Sequence, residues 1–148
     1  MFNFSNFWLS HAPIFSILIP AFTSFLLLIL GNPGSGSLKQ DWRQPWRRSI
    51  SLGSVTLGLI TAVSYLLLAS TGQITVYQLS EWSAPFGIVL VLDRLSAFML
   101  VLTYGLALPV LWYASDNWDT RGRYFHAMFH FLLMGLSGAF LTGDLFNL

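Results

Sequence analysis

The chain has 148 residues, of which 55% are hydrophobic and only 9% are charged, with a formal net charge of +1. Soluble domains carry about 25% charged residues, so this composition cannot cover the surface of a soluble fold. The small net charge implies no nucleic-acid partner, and the absence of cysteine excludes disulfides and thiolate metal sites. The composition therefore indicates an integral membrane protein.

Four apolar segments predict transmembrane helices, because each is close to the ~20 residues needed to cross a ~30 Å hydrocarbon layer. None of them contains Asp, Glu, Lys or Arg, and lipid offers their backbone no hydrogen bonds. Small residues four positions apart, Ser54 with Gly58 and Gly135 with Ala139, allow close helix contact. The four predicted helices cover residues 12–30, 50–69, 95–114 and 124–142.

The segment between the second and third predicted helices is rich in β-branched and aromatic residues on both sides of a turn that contains Pro85. Residues 74–92 therefore predict an external β-hairpin. The alternative is a single helix over residues 86–114, which would be ~43 Å long and would bury Asp93 and Arg94. The hairpin is preferred, with Asp93 near the start of the third helix, where a carboxylate is favoured. Asp93 and Arg94 are expected to form structural ion pairs, with each other or with other loops.

The basic residues predict the orientation of the chain. Asp116 and Asp119 lie among them, but acids count for little in setting topology. The positive-inside rule assigns the basic side to the cytoplasm, so the N-terminus is expected outside. Six of the seven basic residues fall on that side if the four helices alternate: Lys39, Arg43, Arg47, Arg48, Arg121 and Arg123.

Two residues are candidates for an ion path. His130 lies about a turn and a half into the fourth helix, where either a functional titratable group or a hydrogen-bonded bundle histidine is expected. Asp144 follows that helix and either caps the next helix, which is favoured, or lies at the mouth of an ion path. His126 shares a helix face with His130, but no third ligand is evident, so no metal site is predicted. No motif predicts a catalytic residue or a cofactor.

Two long motifs resemble a known family. Residues 77–93 read YQLSEWSAPFGIVLVLD and residues 131–148 read FLLMGLSGAFLTGDLFNL. They are similar to the external hairpin, and to the fourth helix with its following turn, in the D-type subunit of the Mrp-type multisubunit Na⁺/H⁺ antiporter. The superfamily also includes the proton-pumping subunits of NADH:quinone oxidoreductase. Ser137 and His130 depart from the family pattern, in which Asn and Gln are expected.

The resemblance implies an all-α integral membrane protein that forms the N-terminal part of a fold of about 14 helices. It implies a secondary transporter subunit in the bacterial inner membrane, not an enzyme. The implied partners are other antiporter subunits, the lipid bilayer, and H⁺ and Na⁺ as transported ions. The charged residues of the family lie beyond Leu148, so a fragment or a truncated product is expected. The alternatives are a subunit of NADH:quinone oxidoreductase and a truncated polypeptide that does not transport.

Overall fold

The structure is a computed structural model that describes residues 11–30, 44–72, 74–78, 89–122 and 124–143. Within these residues the chain forms four helices and one two-stranded sheet, which confirms the predicted mostly helical class and the hairpin. Each helix lies within a few residues of its predicted range, except at the start of the second. The elements are α1 (Ala12–Ile29), α2 (Gln44–Ser70), β1 (Thr75–Gln78), β2 (Val89–Leu92), α3 (Arg94–Ala114) and α4 (Phe125–Leu141).

Helix α2 begins at Gln44 rather than at residue 50. Pro45 occupies its first turn, where the missing N–H removes no intrahelical hydrogen bond. Arg47 and Arg48 therefore lie on α2 and not in the preceding loop, because arginine favours helices as well as the apolar residues do. Of the other basic residues predicted in loops, the structure describes one. Arg121 is described, whereas Lys39, Arg43 and Arg123 lie outside the described residues.

Strands β1 and β2 pair antiparallel, with Thr75 opposite Leu92 and Gln78 opposite Val89. The predicted turn over residues 80–86 lies outside the described residues. Strand β2 ends at Leu92, two positions before α3 begins at Arg94, so the hairpin leads into that helix as predicted.

Asp93 and Arg94 join the hairpin to the helices, but each binds a different partner. Asp93 caps α3, since its Oδ1 accepts a hydrogen bond of 2.7 Å from the Ser96 N–H. The Arg94 side chain donates to the carbonyl oxygens of Ala69 and Ser70 at the end of α2, at 3.0 and 2.7 Å. The expected pairing of Asp93 with Arg94 is therefore replaced by two separate contacts with the backbone.

Contacts at the helix ends show that successive helices alternate in direction. At one end, the Gly143 N–H after α4 donates to the Val89 oxygen at 2.8 Å. The His11 ring before α1 meets the Tyr77 ring edge-on, with centroids 5.3 Å apart. At the opposite end, Arg48 near the start of α2 contacts the loop between α3 and α4. We call these the hairpin end and the loop end of the bundle.

Small and hydroxyl side chains lie where the helices meet. Thr23 and Ser54 join α1 to α2 through hydroxyl oxygens 2.8 Å apart. Gly58 faces the ring of Tyr104, and a Cβ added there would lie 2.6 Å from Cδ1. The Ser54 and Gly58 pair thus lies at helix contacts, as predicted. Gly135 does not, because it is exposed and no described atom would lie within 4 Å of an added Cβ.

The outer surface of the helices is apolar. Phe22 is 72% exposed, Leu67 66% and Leu106 67%, which is unfavourable in water over so wide a surface. By length and composition α2 and α3 are long and apolar enough to cross a membrane. Helices α1 and α4 are shorter, at 18 and 17 residues. These features indicate a membrane protein.

Candidate functional site

A cluster of polar side chains lies inside the loop end of the bundle. Three elements supply its members: α2, α4 and the loop between α3 and α4. Most of these side chains are buried. The other residues at this end of α4 are apolar. We call the set of Arg48, Ser51, Asp119, His126 and His130 the loop-end cluster.

The loop brings Asp119 into the cluster by folding back on the end of α3. The Asp119 N–H donates to the Ala114 oxygen at 2.9 Å. Asn117 has a positive φ of 70°, a left-handed conformation that asparagine adopts more readily than most residues. The turn therefore directs the Asp119 side chain inward, where it is 2% exposed.

Arg48 binds Asp119 through two hydrogen bonds, from Nε to Oδ2 at 2.6 Å and from Nη2 to Oδ1 at 2.7 Å. This bidentate geometry matches the planar guanidinium to the carboxylate. Burial alone raises the pKa of Asp119, but the hydrogen bonds from Arg48 and His126, together with the positive charge of Arg48, outweigh it and lower that pKa overall. Asp119 is therefore a carboxylate at neutral pH.

The Asp119 contact determines which nitrogen of neutral His126 carries the hydrogen. Nε2 of His126 lies 3.1 Å from Oδ2 of Asp119. Because an ionised carboxylate only accepts hydrogen bonds, Nε2 must carry a hydrogen and donate it. Nδ1 of the neutral ring is then an unprotonated acceptor. It is buried and has no hydrogen-bond partner among the described residues.

His130 lies one turn further from the loop end on the same face of α4. It is fully buried, and its Nε2 lies 2.9 Å from the Ser51 hydroxyl of α2. Its Nδ1 also has no hydrogen-bond partner in the described part of the chain. Phe129 meets the His130 ring edge-on, and Phe125 does the same for His126, with centroids 6.2 and 5.4 Å apart. These contacts help to fix both imidazoles.

Of the two predicted ion-path residues, the structure describes His130 but not Asp144. His130 is a hydrogen-bonded histidine inside a bundle, and its part in an ion path stays a prediction. Asp144 lies outside the described residues, although Gly143 before it is bound to β2. The sequence does not predict Asp119 and Ser51 as partners of the histidines, because neither lies on the same helix. The signal available is an acid seven positions before His126, in the turn that leads into α4.

A metal ion is not supported by the described residues, which contain no group of three or more His, Cys, Asp or Glu side chains that could hold one. Asp119 brings a carboxylate to His126 from another element. Its oxygens are already engaged by Arg48 and His126, so they serve as hydrogen-bond acceptors.

Comparison with known proteins identifies similar chains. No model of a known protein family matches. The chain is 44% identical over 146 residues to a probable K⁺/H⁺ antiporter D-type subunit of Rhizobium meliloti (strain 1021), covering 95% of this chain and 25% of that protein. It is 34% identical over 143 residues to a Na⁺/H⁺ antiporter D-type subunit of Alkalihalophilus pseudofirmus, covering 95% and 27%. The resemblance to the D-type subunits of the Mrp-type antiporters is confirmed.

A solved structure agrees with these relatives. The Mrp complex from Dietzia sp. DQ12-45-1b matches with a TM-score of 0.76 and 25% identity, over 93% of this chain and 24% of the matched chain. The chain thus spans about a quarter of the length of the antiporter relatives that it matches.

Proposed function

We propose that the chain is part of the membrane subunit of a monovalent cation/proton antiporter, which exchanges Na⁺ or K⁺ for H⁺. The observation that carries the proposal is the 44% identity, over 95% of the chain, to a protein named as a K⁺/H⁺ antiporter subunit. The chain matches 25% of that relative, and the transport activity is proposed for the whole subunit together with its partner subunits. Its partners are the other antiporter subunits and the lipid bilayer, and it acts as a transporter and not as an enzyme.

We further propose that all four helices cross the bacterial inner membrane, with the N-terminus and the hairpin outside, as the N-terminal part of a fold of about 14 helices. The alternating helix directions support this topology. So does the apolar outer surface. Three of the four described Lys and Arg residues, Arg47, Arg48 and Arg121, lie at the loop end, which agrees with a cytoplasmic location by the positive-inside rule.

Within this subunit, His130 and Asp144 are proposed to line the ion path. Support for His130 comes from its full burial and from an imidazole nitrogen that no described residue satisfies. Support for Asp144 comes from its neighbour Gly143, whose backbone is bound to β2 at the hairpin end.

The test is a chimeric subunit in which this chain replaces the matching segment of the R. meliloti relative. The chimeric subunit is expressed with its partner subunits in cells that lack the native protein. Everted membrane vesicles are energised, and a pH-sensitive dye reports proton movement when NaCl or KCl is added. We expect cation-dependent proton flux from the chimeric subunit and none when the segment is deleted.

Immunoblotting of the membranes provides the control, because it shows whether the chimeric subunit is present in the amount of the parent protein. A chimeric subunit that accumulates normally but gives no more flux than the deletion would contradict the proposal. Comparison of NaCl with KCl identifies the preferred cation.

A further inference from the structure

Two buried imidazole nitrogens in the loop-end cluster indicate a bound ligand. Nδ1 of His126 and Nδ1 of His130 lie on one face of α4, in residues that are 8% and 0% exposed. Neither has a hydrogen-bond partner in the described ranges of the chain. Buried polar atoms are nearly always hydrogen-bonded, so each exception implies a water or an ion that the fold accommodates.

We propose that His126 and His130 form a proton-binding site that is reached from the loop end, with His126 as the first acceptor and His130 as the second. The proposal rests on the antiporter function for the fate of the proton, but not for the existence of the site. It extends the proposed ion path from His130 toward the loop end and assigns roles to Asp119 and His126 that the sequence did not predict.

The proton transfer conserves every hydrogen bond on the Asp119 side. A proton from water binds the lone pair on Nδ1 of His126, while Nε2–H continues to donate to Asp119. The product is an imidazolium beside a carboxylate. Loss of the same proton from Nδ1 to Nδ1 of His130 restores neutral His126 and creates the imidazolium one turn further along. The two residues are separated by ~6 Å along the helix axis, so we assign the transfer to a bridging water.

The charges around His126 allow the proton to bind and also to leave. Burial is the largest effect and opposes the imidazolium at His126, the Asp119 carboxylate favours it, and the positive charges of Arg47 and Arg48 on α2 oppose it. At His130, burial and the charge of His126 both oppose protonation, so the two rings do not readily hold protons together. Helix α1, which packs against α4, contains no ionisable side chain. On α3, the buried Tyr104 is bound to Ser16 and Ser137, away from the loop end.

Ser51 supplies a hydrogen-bond partner to His130, the second proton acceptor. In the tautomer that carries its hydrogen on Nε2, His130 donates to the Ser51 hydroxyl, and the imidazolium does the same, so Ser51 satisfies Nε2 in both protonation states of the ring. Only Nδ1 of His130 then changes its role when the proton arrives. A hydroxyl is suited to this position because a carboxylate would hold the proton and an apolar residue would leave Nε2 unsatisfied.

Two measurements on the chimeric subunit test the site. Diethyl pyrocarbonate, which acylates unprotonated imidazole, is applied to vesicles over a range of pH, and labelled histidines are located by mass spectrometry. The partly exposed His11 at the hairpin end is the internal reference. We expect labelling of His126 and His130 at high pH that falls on acidification. Proton flux is then measured for His126→Gln and His130→Gln, with His11→Gln as the matched control.

Glutamine retains a donor for Asp119 or a partner for Ser51 but does not bind a proton at neutral pH. We expect flux to fall on the order of tenfold or more in each cluster variant and to stay within about twofold in His11→Gln. Wild-type flux in His126→Gln or His130→Gln would overturn the proposal. So would the absence of labelling at both residues at a pH where His11 is labelled. If the unmodified chimeric subunit gives no flux, the antiporter function fails and the labelling alone decides whether the site exists.

Discussion

Arg48 donates two hydrogen bonds, of 2.6 and 2.7 Å, to the carboxylate of Asp119, across 71 positions of sequence. The pair joins the first turns of α2 to the loop between α3 and α4. Because the two residues come into contact only when the helices have packed together, these hydrogen bonds form only in the assembled bundle. It also keeps Asp119 ionised next to His126, on which the proposed proton site depends.

Removal of the arginine should destabilise the bundle. In Arg48→Gln the carboxylate of Asp119 stays buried but loses its bidentate partner. Arg48 is 26% exposed, so we expect a loss of about 1–3 kcal/mol, as for a hydrogen bond to a charged group, below that of a fully buried ion pair. Thermal unfolding of the purified complex that contains the chimeric subunit measures this loss. The control is Arg121→Gln, since Arg121 is exposed and stacks on Trp118 at 4.0 Å. Equal shifts in the two variants would contradict the prediction.

The Asp119 contacts predict how stability depends on pH. The pKa of Asp119 is lowered in the folded state, so its contribution is fully present above the unfolded value of about 4 and is lost as the pH falls through the lowered value. Asp119→Asn should be less stable than the wild type at pH 7, with a smaller further loss on acidification. Asp93 has a lowered pKa as well, mainly through its hydrogen bond from the Ser96 N–H, so some acid sensitivity remains. Unfolding midpoints at several pH values test this. The wild-type profile in Asp119→Asn would refute the prediction.

The helices and the hairpin are predictable because each depends on local pattern. Apolar runs of membrane length predict the helices, and β-branched residues around a proline turn predict the strands. Asp93 is predicted at the start of α3 because a capping carboxylate acts within one turn of the backbone. The early start of α2 is not predicted, because a segment defined by hydrophobicity stops at the first charged residue, whereas a helix can continue through arginine.

The loop-end cluster is only partly predictable, since it is made by tertiary contacts. His130 is identified because a titratable residue inside an apolar helix is unusual on any fold. Its partner Ser51 lies on a different helix, 79 positions away in sequence, and one serine among many gives no signal. The sequence presents Asp119 as a loop acid of little importance, because the left-handed turn at Asn117 that directs it inward does not follow from the sequence.

The close contact of α2 with α3 predicts a strong effect at Gly58. An added Cβ would lie 2.6 Å from Cδ1 of Tyr104 and 2.8 Å from its Cζ. The Tyr104 ring cannot easily move away, because its hydroxyl donates to the carbonyl oxygen of Ser16 at 3.0 Å and lies 3.2 Å from the Ser137 hydroxyl. Gly58→Ala should therefore lower the unfolding free energy by about 1–3 kcal/mol, as other overpacked cores do.

Gly53 on the same helix is the matched control for Gly58. No described atom would lie within 4 Å of an added Cβ there, so Gly53→Ala should be neutral or slightly stabilising through helix propensity. Unfolding midpoints of the two variants provide the comparison. A Gly58→Ala variant as stable as Gly53→Ala would show that the two helices are not in close contact.

The proposed topology predicts opposite labelling of two exposed positions. The chain contains no cysteine, so single cysteines can be introduced into it without background from its own residues. Asp116→Cys at the loop end should react with a membrane-impermeant maleimide only in inside-out vesicles. Ile74→Cys at the hairpin end, where the side chain is 68% exposed, should react only in right-side-out vesicles. Labelling of both from the same side would contradict the four-span arrangement.

The backbone after α4 predicts a transport phenotype at Gly143. Its N–H is bound to the Val89 oxygen, and an added Cβ would lie 2.5 Å from Cγ2 of Val91 and 3.3 Å from that oxygen. In Gly143→Ala either Val91 must turn or this contact must open, and the adjoining Asp144 would then shift. If Asp144 lines the ion path, proton flux should fall in Gly143→Ala and in Asp144→Asn. Gly138→Ala, with no described atom within 4 Å of its Cβ, should transport normally. Normal flux in Asp144→Asn would remove that carboxylate from the path, and reduced flux in Gly143→Ala alone would then reflect distortion of the hairpin contact.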